Sequence, residues 1–160
     1  MLRSLLAASL LLLPFADAHA ASPPGRPSLR AEVEAFIKEY IEAVNRLDVA
    51  VLMGMTSRKP EVSTISDGQI SRGWEEIRAD ADKVIGMEGT YRFTMGAIDV
   101  VPLGASHALA HAPYTVTVGT DRGVVTLPSA MSLVLEKSGG KWLILHDHMS
   151  TKLDPDEEGD

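Results

Sequence analysis

The chain has 160 residues, no cysteine, 45% hydrophobic side chains and a formal charge of −7, with 15 Lys and Arg against 22 Asp and Glu. The missing cysteines exclude a disulfide framework, a thiolate zinc site and a lipoprotein-type acyl anchor. The acidic balance, with no basic patch carrying interleaved aromatics, argues against nucleic-acid binding, and the length suits a single hydrophobic core.

At the N-terminus Arg3 precedes an apolar run from Leu5 to Phe15, and Ala18-His19-Ala20 follows. This is the pattern of a secretory signal peptide over residues 1–20, so the chain is expected to be exported, to the periplasm or the medium. The run is too short to span a membrane, and no stable membrane anchor is expected after cleavage. Residues 21–28 form a Pro-rich linker with Pro23, Pro24, Gly25 and Pro27, too poor in apolar side chains to pack. The domain is expected over residues 29–153. An acidic tail, 154–160, with Asp154, Asp156, Glu157, Glu158 and Asp160, reads as solvated.

Within the domain, Val33, Phe36, Ile37, Tyr40, Ile41, Val44 and Leu47 mark the apolar stripe of a first helix from Leu29 to Leu47. Asp48 reads as the N-cap of a short second helix carrying Val51, Leu52 and Met55. From Glu61 to Arg72, two short strands flank Asp67-Gly68, a dipeptide suited to a tight hairpin turn. A third helix is expected from Trp74 to Ile85, ended by Gly86. Four strands follow, Tyr91–Val100, His107–Val118, Val124–Lys137 and Lys141–Ser150, at antiparallel spacings. The class is α+β, in the order α-α-β-β-α-β-β-β-β, with the three helices burying their stripes on one face of a curved mixed sheet.

The last strand carries the densest chemistry. In KWLILHDHMS, strict alternation puts Trp142, Ile144, His146, His148 and Ser150 on one face and Leu143, Leu145, Asp147 and Met149 on the other. The element order and the spacing G-K-W-x-x-x-H-x-H-x-S, here Gly140, Lys141, Trp142, His146, His148 and Ser150, resemble SnoaL-like domains of the nuclear transport factor 2-like superfamily. The association domain of the type II calmodulin-dependent protein kinase ends in the same spacing, as do exported bacterial proteins of unknown function. The resemblance implies a cone: a strongly bent sheet around the first helix, with a pocket at its open end. It does not imply one reaction, because the superfamily holds isomerases, dehydratases, hydrolases, cyclases and catalytically silent hubs.

The family's isomerases and cyclases use a carboxylate inside the cone. Here Glu136 falls at a rim, Asp99 near a strand end, and Asp147 on the face opposite the histidines. The expected site is therefore His146, His148, Ser150, Tyr40 and Ser129, binding a small-molecule ligand without turnover. Its alternative is a lyase, isomerase or hydrolase that uses histidine as its acid-base group. An H-x-H pair places two imidazoles about 7 Å apart on one strand face, and His107 or His111 could add a third ligand. No companion thiolate or well-placed carboxylate supports that, so no metal and no cofactor are expected. Ungapped placement puts Pro113 and Leu133 where the kinase domain carries pocket arginines, which implies no anion clamp; Arg72 and Arg92 read as surface residues. A homodimer through the outer sheet face is expected.

Overall fold

The computed structural model describes residues 27–85, 89–121 and 123–152; the expected signal peptide, most of the expected linker, the Gly86 helix stop and the acidic tail lie outside these described residues. Ser28 starts the domain by capping helix α1 (Leu29–Asn45), its hydroxyl accepting the Ala31 amide at 3.2 Å. The helix ends in a Schellman motif, with Asp48 N–H donating to Ala43 C=O and Leu47 N–H to Val44 C=O, and Leu47 at φ 52°. Asp48 then caps α2 (Val49–Gly54) through the Val51 amide, the capping role its position predicts. The turn between strands β1 (Ser63–Ser66) and β2 (Gln69–Arg72) has both Asp67 (φ 47°) and Gly68 (φ 86°) at positive φ, the conformation that selects this dipeptide. Helix α3 spans Trp74–Ile85.

Five strands follow rather than four. The expected Tyr91–Val100 strand is divided into β3 (Thr90–Met95) and β4 (Asp99–Pro102), both antiparallel to β5 (His107–Thr120). The break falls at Gly96, whose N–H donates to Pro113 C=O at 2.8 Å. Proline has no N–H to return, so the ladder lapses there. Strands β6 (Gly123–Ser138) and β7 (Lys141–Thr151) complete a sheet in the order β2-β1-β7-β6-β5-β3, in which β1 and β7 run parallel.

One face of this curved sheet is the core. Val33, Ile37, Tyr40 and Ile41 of α1 share a buried cluster with Ala108, Ala110 and Ala112 of β5, Leu133 and Leu135 of β6, and Trp142 and Ile144 of β7. The alanines leave room on the sheet for helical side chains; the leucines fill the space beside them. A smaller cluster of Val49, Met53, Val62 and Ile77 joins α2 to α3, with Trp74 packed on it and donating its indole N–H to Met53 C=O. Trp74 is thus a core anchor, covered from outside by the Arg58 guanidinium 3.4 Å from the ring centroid.

Candidate functional site

Strand β7 decides which side chains enter the cone, and it does not alternate strictly. Lys137 pairs with Trp142 and Leu135 with Ile144, but the next pair is Val134 with His146, so Leu145 is an extra residue opposite a register shift. Such a bulge exchanges the faces of everything after it. Upstream, Trp142 and Ile144 face the core. Downstream, Asp147 faces it opposite Leu133, followed by Met149 opposite Met131 and Thr151 opposite Ser129.

The expectation that His146, His148 and Ser150 share a face with Trp142 is thereby corrected: they lie on the other face of the sheet. His146 is half-buried, its Nδ1 2.9 Å from the Ser63 hydroxyl on β1, and His148 and Ser150 are exposed. His107 and His111 occupy the same outer face of β5, opposite Glu136 and Ser132. Asp99 is an exposed strand-end acid near His111, as its position suggests. Among the described residues no three His, Asp or Glu side chains converge as a metal shell would require.

Tyr40 and Ser129 do belong to the concave face. Tyr40, one turn beyond Ile37 on α1, donates its hydroxyl to Asp147 Oδ2 at 3.0 Å, and both residues are buried. Asp147 Oδ1 is buried with no hydrogen-bond partner among the described residues. Burial raises the Asp147 carboxyl from 3.8 to about 7, against the lowering effect of the Tyr40 hydrogen bond. The Tyr40 hydroxyl is itself held well above its ordinary 10.0, by burial first and by the Asp147 carboxylate second. Tyr114, opposite Ser129, is also raised, mainly by burial; hydrogen bonds to Ser129 and Thr151 oppose that shift. Its ring stacks on Phe93 with centroids 5.9 Å apart.

The concave face therefore carries a carboxyl able to change protonation near neutrality, two tyrosines, Ser129 and Thr151, within walls built from Phe93, Met95, Met131, Leu133 and Met149. Leu133 occupies one expected arginine position directly opposite Asp147; Pro113, the other, is exposed on the outer face. The residue that sequence reading left out of the site is Asp147. Its signal was the run Leu143-Ile144-Leu145, three apolar residues in a row that a strictly half-buried strand does not produce. A separate groove of about 640 Å³ opens near the start of α1, lined by Phe36, Met55, Trp142 and Leu143 among others, and does not include Asp147.

A bent mixed sheet closed by an N-terminal helix is the architecture of the nuclear transport factor 2-like superfamily. Within it the chain belongs to the SnoaL-like domain family, which it matches over residues 33–154. No functionally curated protein matches it. Among solved structures, it is 24% identical to a nuclear transport factor 2-like protein of unknown function from Shewanella oneidensis, covering 74% of this chain and 96% of that one, with a TM-score of 0.59. A Streptomyces avermitilis protein provisionally named a dehydratase of the same family is 16% identical over 77% and 95% of the two chains, TM-score 0.69. A Xanthomonas campestris protein provisionally named a calcium/calmodulin-dependent protein kinase II association domain is 19% identical over 84% and 94%, TM-score 0.67. At these identities the likeness is one of fold.

Proposed function

We propose that this chain is an exported SnoaL-like domain that binds an uncharged, largely apolar small molecule in its cone and moves a proton on it with Asp147. The observation that carries the reading is the Asp147 carboxyl: one oxygen held by Tyr40, the other buried without a partner among the described residues, its acidity shifted to about 7. A carboxyl with that pKa is present in both protonation states at neutral pH, which is what general acid-base catalysis of an isomerisation, dehydration or ring closure requires. The carboxylate takes a proton from carbon beside a carbonyl, and the resulting acid returns it to another atom of the same molecule or to a departing hydroxyl, which leaves as water. Met131 and Met149, the adaptable apolar pair next to Asp147, can yield to an entering ligand. Binding without turnover draws its support from the lack of an inward base, and Asp147 removes that ground. A histidine-dependent reaction is less favoured, since the imidazoles lie on the other face.

The test is exchange of α-protons into D₂O, followed by NMR across a panel of neutral aromatic and alicyclic ketones, with the same panel screened for thermal shifts. Wild type is expected to exchange at least one ketone, and Asp147→Asn to lose about a hundredfold or more of that rate. Ketones that stabilise the wild type without exchanging would leave binding alone as the function.

A further inference from the structure

Strands β5 and β6 outrun the rest of the sheet. β7 accompanies β6 as far as Thr151 opposite Ser129, and Lys152 N–H donates to Pro128 C=O at 2.8 Å. Beyond that point residues 123–127 of β6 pair with β5 on one side and, among the described residues, with nothing on the other. The Lys152 bond also fixes which backbone groups face the open side. Pro128 turns its carbonyl toward β7, so by the two-residue period Val124 and Thr126 turn both N–H and C=O the same way.

Free edges are normally blunted by charge, proline or a bulge. Here the edge reads Val124-Val125-Thr126-Leu127, with no charge and no proline until Pro128. Val124 is 75% exposed and Val125 37%.

We propose that this edge pairs with the same edge of a second copy, antiparallel about a two-fold axis at Val125, so that two sheets become continuous. In this register Val125 lies opposite Val125 of the second copy, and Val124 exchanges its N–H and C=O with Thr126 of the second copy. The edge is thus complementary to itself, and the exposed valines are covered. Residues 153–160 of the same chain follow directly on Lys152, but after Leu153 they carry five acids, residue types that strands disfavour and that would set charge beside Val124. The outer sheet face is a poorer contact than expected, since its exposed residues include Asp99, His111, Ser132, His148 and Ser150. An edge this short buries less than the roughly 1,000 Å² of a stable interface, so the dimer is reversible and grows with protein concentration.

The cysteine-free chain makes single-cysteine cross-linking unambiguous. Residues facing each other in a non-hydrogen-bonded antiparallel pair have Cα atoms about 4.5 Å apart, within disulfide range. In the full mature chain, Val125→Cys is expected to form a disulfide-linked dimer on mild oxidation, and Ser132→Cys on the outer face is not. By sedimentation, Thr126→Pro, which removes an outward N–H, should weaken wild-type self-association roughly tenfold or more while leaving the circular dichroism spectrum intact. A wild type monomeric at all concentrations would overturn the proposal. So would cross-linking at Ser132→Cys instead, or cross-linking at Val125→Cys only after residues 153–160 are deleted, which would give the edge to the chain's own tail.

Discussion

Asp147 and Glu136 expose nearly the same small share of their surface, 5% and 4%, on neighbouring strands, yet their acidities move in opposite directions. Burial pushes both upward. At Glu136 the Lys59 ammonium and the Ser57 hydroxyl, 2.5 Å away, overcome that cost and hold the carboxyl below its ordinary range. Among the described residues Asp147 has only the Tyr40 phenol, on one oxygen, and burial wins. A small exposed area therefore does not fix the direction of the shift: Asp147 lies deep among apolar side chains with one neutral donor, and Glu136 lies near the sheet rim facing a cation and a hydroxyl. Glu136, on the outer side of β6, is a fixed charge that ties the segment after α2 to the sheet. Asp147, on the inner side of β7, is left free to gain and lose a proton.

The largest test of this contrast is Asp147→Asn. The folded pKa of Asp147 lies near 7, above the unfolded 3.8. The folded state therefore binds the proton more tightly, and this contribution to stability is complete below the unfolded value and lost as pH rises through the folded one. Asparagine cannot ionise, so the variant should gain on the wild type from pH 4 to pH 8, by several kcal/mol at about 1.4 kcal/mol per pKa unit. Denaturant unfolding at the two pH values measures the difference. An unchanged gap would mean that Asp147 ionises as freely as a surface acid.

Glu136→Gln should behave in the reverse sense and to a smaller extent. Its folded pKa is depressed, so its contribution is present above the ordinary 4.5 and fades as pH falls through the folded value. Glutamine keeps an acceptor for Ser57 but loses the charge facing Lys59, a cost of about 1–2 kcal/mol near pH 7 for a charge-assisted hydrogen bond. The same unfolding experiment should show the variant weaker than wild type at pH 7 and closest to it at pH 3. Equal losses at both pH values would assign the cost to packing instead of charge.

How much of this was legible in the sequence follows from what each signal depends on. The Asp48 cap, the Asp67-Gly68 turn, α3 and the stripe of α1 as far as Val44 are local patterns, set by residues a few positions apart, and they stand as read; Leu47, expected to end that stripe, is instead the exposed positive-φ residue after the helix. The division of the expected Tyr91–Val100 strand depends on Pro113, which lies opposite Gly96 only once the strands have paired. The site turned on a single extra residue. Along β7 periodicity assigns faces correctly up to Ile144, and the bulge at Leu145 reverses the rest, so strict alternation gives the histidines the concave face that Asp147 holds. Glu136 shows the same limit, since its partners Ser57 and Lys59 are nearly eighty residues away in the chain.

The smallest expected effect belongs to the pair the alternation singles out. His146 loses one half-buried hydrogen bond to Ser63 when truncated, and His148 is exposed. Together, His146→Ala and His148→Ala should cost no more than about 1 kcal/mol, the scale of a single partly solvated hydrogen bond. Neither ring reaches the concave face, so ketone exchange and ligand-induced thermal shifts should match the wild type, while Asp147→Asn abolishes the exchange. A folded double variant that loses exchange would transfer the chemistry to the outer face and leave Asp147 as a buried neutral acid. Equal exchange in wild type and double variant, set against its loss in Asp147→Asn, would fix the reacting face of β7 by experiment and make the bulge at Leu145 the feature that selects it.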